Sequence, residues 1–110
     1  MPESIERGAL TEAVFYILLS LHKPTHGYAI MQNIEKLTDG RVVLGPGTLY
    51  GAINALVQKR WIEAVSSEKD SRKKEYVITD LGRSVFEGEL FRLRELIQNG
   101  EKMQKGIIDS

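Results

Sequence analysis

Hydrophobic residues recur with the spacing of an α-helix in four stretches of the chain, and residues such as Gly, Pro and Thr separate these stretches. The first, about residues 7–23, is apolar on two sides, which predicts a helix with two buried faces. The second, about residues 28–37, follows a break where Thr25 or His26 is expected to cap it, and Gly40 is expected to end it in a left-handed conformation. Its inward positions are Ile30, Ile34 and Leu37.

The third helix is predicted at about residues 46–60, because Pro46 suits a first helical position. Its buried stripe is Leu49, Ile53, Leu56 and Arg60. The opposite face carries small or short polar residues and no charge: Thr48, Gly51, Ala52, Asn54 and Ala55. Such a face suits close approach to a DNA major groove, and it equally suits tight packing on another helix. The third helix alone leaves these two interpretations open.

Two strands are predicted after this helix, at about residues 61–66 and 74–78, because both are rich in β-forming residues. The segment between them has no apolar residue and reads as the solvated tip of a hairpin. The basic residues of this hairpin are Lys69, Arg72, Lys73 and Lys74. Three helices followed by a hairpin form a winged helix-turn-helix, in which the third helix enters the major groove and the wing reaches the flanking DNA. This order favours the DNA interpretation of the third helix.

A last helix is predicted after Thr79, which is expected to cap it, with Leu81 and Val85 pointing to the core. Further along, apolar residues repeat with the spacing of a two-heptad seam: Phe86, Leu90, Leu93 and Ile97. Asn99-Gly100 interrupts the seam, and the residues beyond either continue as a helix after a kink or fray. The fold class is therefore mainly α with a small β-hairpin: a winged helix-turn-helix at residues 1–78 and a dimerisation helix and tail at 79–110.

Composition narrows the functional classes. The chain has 110 residues with 15 basic and 15 acidic side chains, so DNA binding would rest on a local basic patch. It has no cysteine, and His22 and His26 flank a proline break without other ligands, so no metal site and no cofactor are predicted. Motifs typical of enzymes are missing, and the apolar run at 13–21 is too short to span a bilayer. A soluble, cytoplasmic protein that is not an enzyme is expected.

Three segments of the chain resemble the PadR family of bacterial transcriptional regulators. His26-Gly27-Tyr28-Ala29-Ile30 is similar to the HGYEI segment of that family, and residues 47–56, GTLYGAINAL, are similar to GTLYPALxxL. Residues 75–82, EYVITDLG, are similar to the family's last wing strand and the YxLTxxG that follows. The chain departs from the pattern at Gly51, where proline is usual, and at Ala29, where an acidic residue is common. The single last helix is similar to the short form of the family.

The resemblance implies a homodimer that binds double-stranded DNA at a short inverted repeat and represses transcription until a small-molecule effector releases it. It also implies a dimer interface on the first and last helices: Phe15, Leu19, Phe86, Leu90, Leu93 and Ile97. An effector site between the subunits would use the same apolar residues. Tyr28 resembles a family position near the DNA backbone.

Other DNA contacts are predicted from residue chemistry. Thr48 and Tyr50 carry hydroxyls near a helix N-terminus, where phosphate binding is favoured, and the amide of Asn54 suits an adenine edge. Lys69, Arg72, Lys73 and Lys74 would meet phosphates or the minor groove. The alternative is a winged helix that associates with a protein and does not bind DNA, and the zero net charge is its main support.

Overall fold

A computed structural model describes residues 8–65 and 74–106 of the chain. In chain order the elements are α1 (Glu12–Ser20), β1 (Thr25–His26), α2 (Gly27–Leu37), α3 (Pro46–Gln58), β2 (Ile62–Val65), β3 (Glu75–Ile78) and α4 (Asp80–Gln104). This architecture confirms the predicted class, mainly helical with a small antiparallel sheet. The first helix starts later than predicted because Thr11 caps it: the Thr11 hydroxyl accepts the Val14 N–H at 3.1 Å.

The sheet has three strands in the order β1-β3-β2, whereas the sequence indicated only the β2–β3 hairpin. The added strand is two residues long, with Thr25 opposite Tyr76 and His26 opposite Glu75. A strand this short has no alternating pattern by which the sequence would reveal it. It joins the start of α2 directly to the wing, because Gly27 follows His26 without a turn.

The core lies between α1, α2, α3 and the first turns of α4. Its members are Ile17, Leu18, Leu21, Ile30, Ile34, Leu49, Ile53, Leu56, Trp61, Ile62, Ile78, Val85 and Phe86. Three positions predicted to be buried are wrong: Leu37 is 56% exposed, Leu81 is 46% exposed, and Arg60 is exposed. Leu37 is the last residue of α2, where the helix ends. Leu81 is directed away from the core because the first turn of α4 instead presents Gly82 to the turn after α3.

The turn after α3, at Arg60 and Trp61, contacts the residues that begin α4, Thr79 and Gly82. Arg60 is outside the helix and exposed, not part of the buried stripe, and its φ of 65° lets the Trp61 N–H donate to the Leu56 carbonyl at 3.0 Å. The Thr79 hydroxyl donates to the Arg60 carbonyl at 2.7 Å and accepts the Gly82 N–H at 3.0 Å. A methyl group on Gly82 would lie 2.1 Å from the Trp61 carbonyl oxygen. Glycine at this position therefore lets α4 start directly against the end of α3.

The structure shows whether the last helix continues beyond Asn99-Gly100 or frays there. The helix runs through this pair without interruption to Gln104, with Lys105 as its C-cap. The molecule is consequently long, with extents of 59 × 35 × 21 Å over the described residues.

At the end of α2, Gly40 has the predicted left-handed conformation (φ 81°), and Asp39 before it is also left-handed.

Candidate nucleic-acid interface

The outward line of α3 consists of small and uncharged residues. Gly47, Gly51, Asn54 and Gln58 are exposed and recur at the spacing of one helix face, opposite the buried Leu49, Ile53 and Leu56. A methyl group added at Gly47 or Gly51 would meet no described atom within 4 Å. The glycines are thus not required by the packing of the chain itself. They leave the backbone of α3 open to close approach by a partner, with two side-chain amides beside it.

The N-terminus of α3 differs from the other helix starts. Gly45 is its N-cap, and within the described residues no side chain caps it and its first turn has no acidic residue. By contrast, Thr11, His26 and Thr79 cap their helices through side chains; His26 accepts the Ala29 N–H at 3.3 Å. The uncapped N–H groups of a first helical turn favour an anion such as a phosphate. Thr48 lies exposed in this turn.

Tyr50 bridges α3 to α2 and is 42% exposed. A Cβ on Gly27 would lie 2.2 Å from the Tyr50 hydroxyl oxygen and 2.7 Å from ring atom Cζ, so the phenol ring rests on the bare backbone at the start of α2. Tyr76 of β3 is close by: burial raises the pKa of its phenol, and the neighbouring Tyr50 adds to the rise. The side chain is therefore both partly packed and partly accessible to a ligand.

Two other predicted contacts lie near these elements. Tyr28, the second residue of α2, is exposed, and so is Lys74, which directly precedes β3. The remaining wing residues Lys69, Arg72 and Lys73 lie outside the described residues. The start of α2 and the wing strand meet through the β1–β3 pairing.

Arg41, in the connection between α2 and α3, forms an ion pair with Glu12 of α1. Arg41 Nη1 donates to Glu12 Oε1 at 3.1 Å, and Nη2 donates to Oε2. These hydrogen bonds lower the pKa of the Glu12 carboxyl and raise that of Arg41. The pair ties the loop before α3 to the start of α1.

The predicted dimer residues differ in how far their own chain buries them. Phe86 is in the core of its own chain, where its ring stacks on Phe15 with centroids 4.8 Å apart. Leu19, Leu90 and Leu93 are half-buried, and Ile97 is 57% exposed. Leu96 and Met103, which the sequence analysis did not single out, are also exposed on α4. They continue the side of α4 that earlier presents Val85 and Glu89 to the core.

Glu89 is a buried carboxylate on that side of α4. Its oxygens accept from Arg92 Nε at 2.9 Å and Nη2 at 2.7 Å, and Oε2 also accepts the Leu10 N–H at 3.3 Å. The hydrogen bonds from Arg92 are the main reason that the pKa of this carboxyl is lowered, and burial opposes them. The residue attaches the segment before α1 to α4.

Sequence reasoning missed Gln58, Gly27 and Tyr76 as parts of this surface. Gln58 was detectable, since it follows Asn54 by one helical turn. The contact of Gly27 with Tyr50 was not detectable from the sequence, because it joins two different helices.

Within residues 8–65 and 74–106, no group of three or more His, Asp or Glu is placed to hold a metal ion. No helix in those ranges is long and apolar enough to cross a membrane.

Other proteins are similar to this chain in sequence and in fold. The chain is 31% identical over 107 residues to protein X of Lysinibacillus sphaericus, covering 96% of this chain and 89% of that protein. It is 37% identical over 86 residues to a 37.1 kDa transposon protein of Streptomyces fradiae, covering 78% of this chain and 23% of that longer protein. The structure of a transcriptional regulator from Clostridium thermocellum superposes with a TM-score of 0.69 at 26% identity, covering 91% of this chain and 96% of the other.

The family comparison is the most specific of these findings. Residues 15–88 match the model of the transcriptional regulator PadR-like family. This range runs from α1 through the helix-turn-helix and the wing strands into α4, so it contains the uncharged face of α3 and the Gly27–Tyr50 contact. The chain belongs to the PadR-like family of transcriptional regulators.

Proposed function

We propose that this protein is a sequence-specific DNA-binding regulator that acts as a homodimer and represses transcription in the cytoplasm. The observation that carries the proposal is the outward line of α3, where two glycines and two amides stand in place of the charged residues of a solvated helix. A face of this kind approaches base edges closely, and side-chain amides pair well with adenine. The family membership of the chain supports the same role.

The remaining DNA contacts surround this line. Thr48, Tyr50 and Tyr28 offer hydroxyls near the starts of α3 and α2, where phosphates are favoured. Lys74, with Lys69, Arg72 and Lys73 beside it in sequence, supplies the positive charge of the wing. In this pose α3 reads bases in the major groove while α2 and the wing hold the backbone on either side.

The second half of α4 supports dimerisation. Leu96, Ile97 and Met103 expose large apolar side chains that the described part of the chain does not cover: Leu96 and Met103 lie on one side of α4, and Ile97 lies on the neighbouring side with Leu90 and Leu93. A second copy of α4, with the α1 residues Phe15 and Leu19 beside it, would cover this apolar surface. A two-fold dimer would read two half-sites about one helical turn apart. A small-molecule effector would bind between the subunits and change the spacing of the two α3 helices.

The proposal is tested by fluorescence anisotropy with the duplex upstream of the protein's own gene, at several salt concentrations. We expect binding that weakens steeply as salt rises, because the wing and helix starts neutralise phosphates. Lys74→Ala should weaken binding to all duplexes alike and make the salt slope shallower by about one unit. Lys105→Ala, a charge-matched control at the far end of α4, should leave both unchanged.

The second candidate is a winged helix that binds a protein instead of DNA, which the balance of 15 basic and 15 acidic residues favours. The same titration separates the two. Absence of binding to any duplex at low salt would support protein association and contradict the proposed function.

A further inference from the structure

Gly27 is buried at the first position of α2, and the space where its side chain would lie is filled by Tyr50. The distances are 2.2 Å from the added Cβ to the Tyr50 hydroxyl oxygen, 2.7 Å to Cζ and 3.1 Å to Cε1. Separations under about 3 Å do not occur without a shift of one group, so an alanine at this position and the present Tyr50 conformation exclude each other. Gly27 has no positive φ, so its backbone conformation does not by itself require glycine.

The Tyr50 ring joins two elements that face the proposed DNA. It starts on α3 and lies over the first turn of α2. The β1–β3 pairing connects the start of α2 to the wing through the backbone, since Thr25 lies opposite Tyr76 and Gly27 follows two residues later. One side chain therefore sits where the helix-turn-helix and the wing come together.

We propose that Gly27 is a positioning residue for DNA recognition: it lets the Tyr50 ring hold α3 at one spacing from the start of α2, which the β1–β3 pairing ties to the wing. This inference rests on the proposed function. A rigid spacing matters because α3 must reach base edges while α2 and the wing hold phosphates on both sides of the groove. Displacing the ring would move the Tyr50 hydroxyl away from the backbone and loosen the wing relative to α3.

The test is a double-mutant cycle with Gly27→Ala, Tyr50→Ser and the double variant, measured on the full chain for thermal unfolding and for DNA affinity. Gly27→Ala alone should lower the Tm by about 5 °C, since the added methyl displaces the ring. It should weaken DNA binding about tenfold. In the Tyr50→Ser background the methyl has room, so the same substitution should leave the Tm unchanged or raised and should change DNA affinity less than about twofold. Gly88→Ala, where a methyl meets no described atom within 4 Å, is the matched control.

A spectroscopic readout identifies the ring that moves. With tyrosine rings isotopically labelled, Gly27→Ala should shift the NMR signals of Tyr50 and Tyr76 and leave those of Tyr16 unchanged. A double variant as unstable as Gly27→Ala would show that Tyr50 is not the group displaced, and would overturn the inference. If the wild type binds DNA and the losses of DNA affinity in Gly27→Ala and Tyr50→Ser simply add in the double variant, the inference is also overturned. That outcome does not contradict the proposed function. A wild type that binds no duplex contradicts the proposed function itself.

Discussion

Helices α3 and α4 both leave one side uncovered, but the two sides differ in chemistry. The outward line of α3 carries glycines and amides, and its N-terminus has no side-chain cap among the described residues. The uncovered side of α4 carries Leu96, Ile97 and Met103, and Thr79 caps the start of this helix. An apolar row suits a second apolar surface, whereas a small polar face suits a hydrated, hydrogen-bonding groove. Under the proposed function, the difference suits α4 to a second copy of the chain and α3 to DNA.

The largest loss of stability is expected at Gly82, where the start of α4 packs against the end of α3. Gly82→Ala would place a methyl 2.1 Å from the Trp61 carbonyl, so the start of α4 must move away from the end of α3. We expect a loss of about 3 kcal/mol in the free energy of unfolding, measured by urea denaturation. Gly88→Ala, which meets open space on the same helix, should instead stabilise by about 0.5–1 kcal/mol. Equal effects at the two positions would contradict the role of Gly82 in the joint.

The assignment of α4 to a protein partner is tested by charge insertion. Ile97→Glu should raise the dimer dissociation constant roughly a hundredfold in sedimentation equilibrium, because it buries an unpaired charge on the apolar side that Ile97 shares with Leu90 and Leu93. Phe91, on the other side of α4, is 72% exposed and provides the control. If Phe91→Glu dissociates the dimer and Ile97→Glu does not, the wrong side of α4 has been assigned to the interface.

Glu89 gives the first half of α4 a pH-dependent contact. Since its pKa is lowered in the folded protein, its ionised form adds stability above the ordinary glutamate pKa, and this contribution is lost as pH falls through the folded-state value. Glu89→Gln should cost about 1–2 kcal/mol of unfolding free energy at pH 7, because the hydrogen bonds with Arg92 lose their charge. At a pH below the folded-state pKa of Glu89, the two proteins should be equally stable. A difference that persists at that pH would show that the charge is not the cause.

The smallest change in stability and DNA affinity is expected at Gly51, where the backbone of α3 would approach the DNA. Gly51→Ala should stabilise the free protein by about 0.5–1 kcal/mol, since an exposed glycine inside a helix is unfavourable and the methyl meets open space. The same methyl should weaken DNA binding a few-fold. Improved stability together with unchanged DNA affinity would mean that the backbone at Gly51 does not approach the groove.

Much of this fold was predictable because its signals are local. Pro46 marks the start of α3 and Thr79 the start of α4, and the hairpin follows from two β-rich segments around a polar one. The errors arise where distant parts of the chain decide burial. Leu37 matches a helical stripe but is the last residue of α2, and Leu81 points away from the core because Gly82 packs against the turn after α3.

The candidate site was predictable to a lesser degree. The hydroxyls of Thr48 and Tyr50 and the amide of Asn54 were predicted from their chemistry and their places on one helix. The role of Gly27 depends on a side chain from another helix filling its space, and helical spacing carries no information about such a contact. Phe86 was assigned to a dimer seam by its heptad position, yet its own α1 covers it through the stack on Phe15. Periodicity indicates that a side is apolar but does not identify what covers it.

The central claim, that the outward face of α3 reads DNA, is tested most directly at Asn54. Duplexes selected from a random pool by the wild type would be titrated with wild type, Asn54→Ala and the amide control Gln98→Ala on α4. We expect Asn54→Ala to lose about 1–3 kcal/mol of binding free energy and its preference at one base pair of each half-site, with Gln98→Ala unchanged. An Asn54→Ala protein that keeps both the affinity and the preference of the wild type would contradict the account.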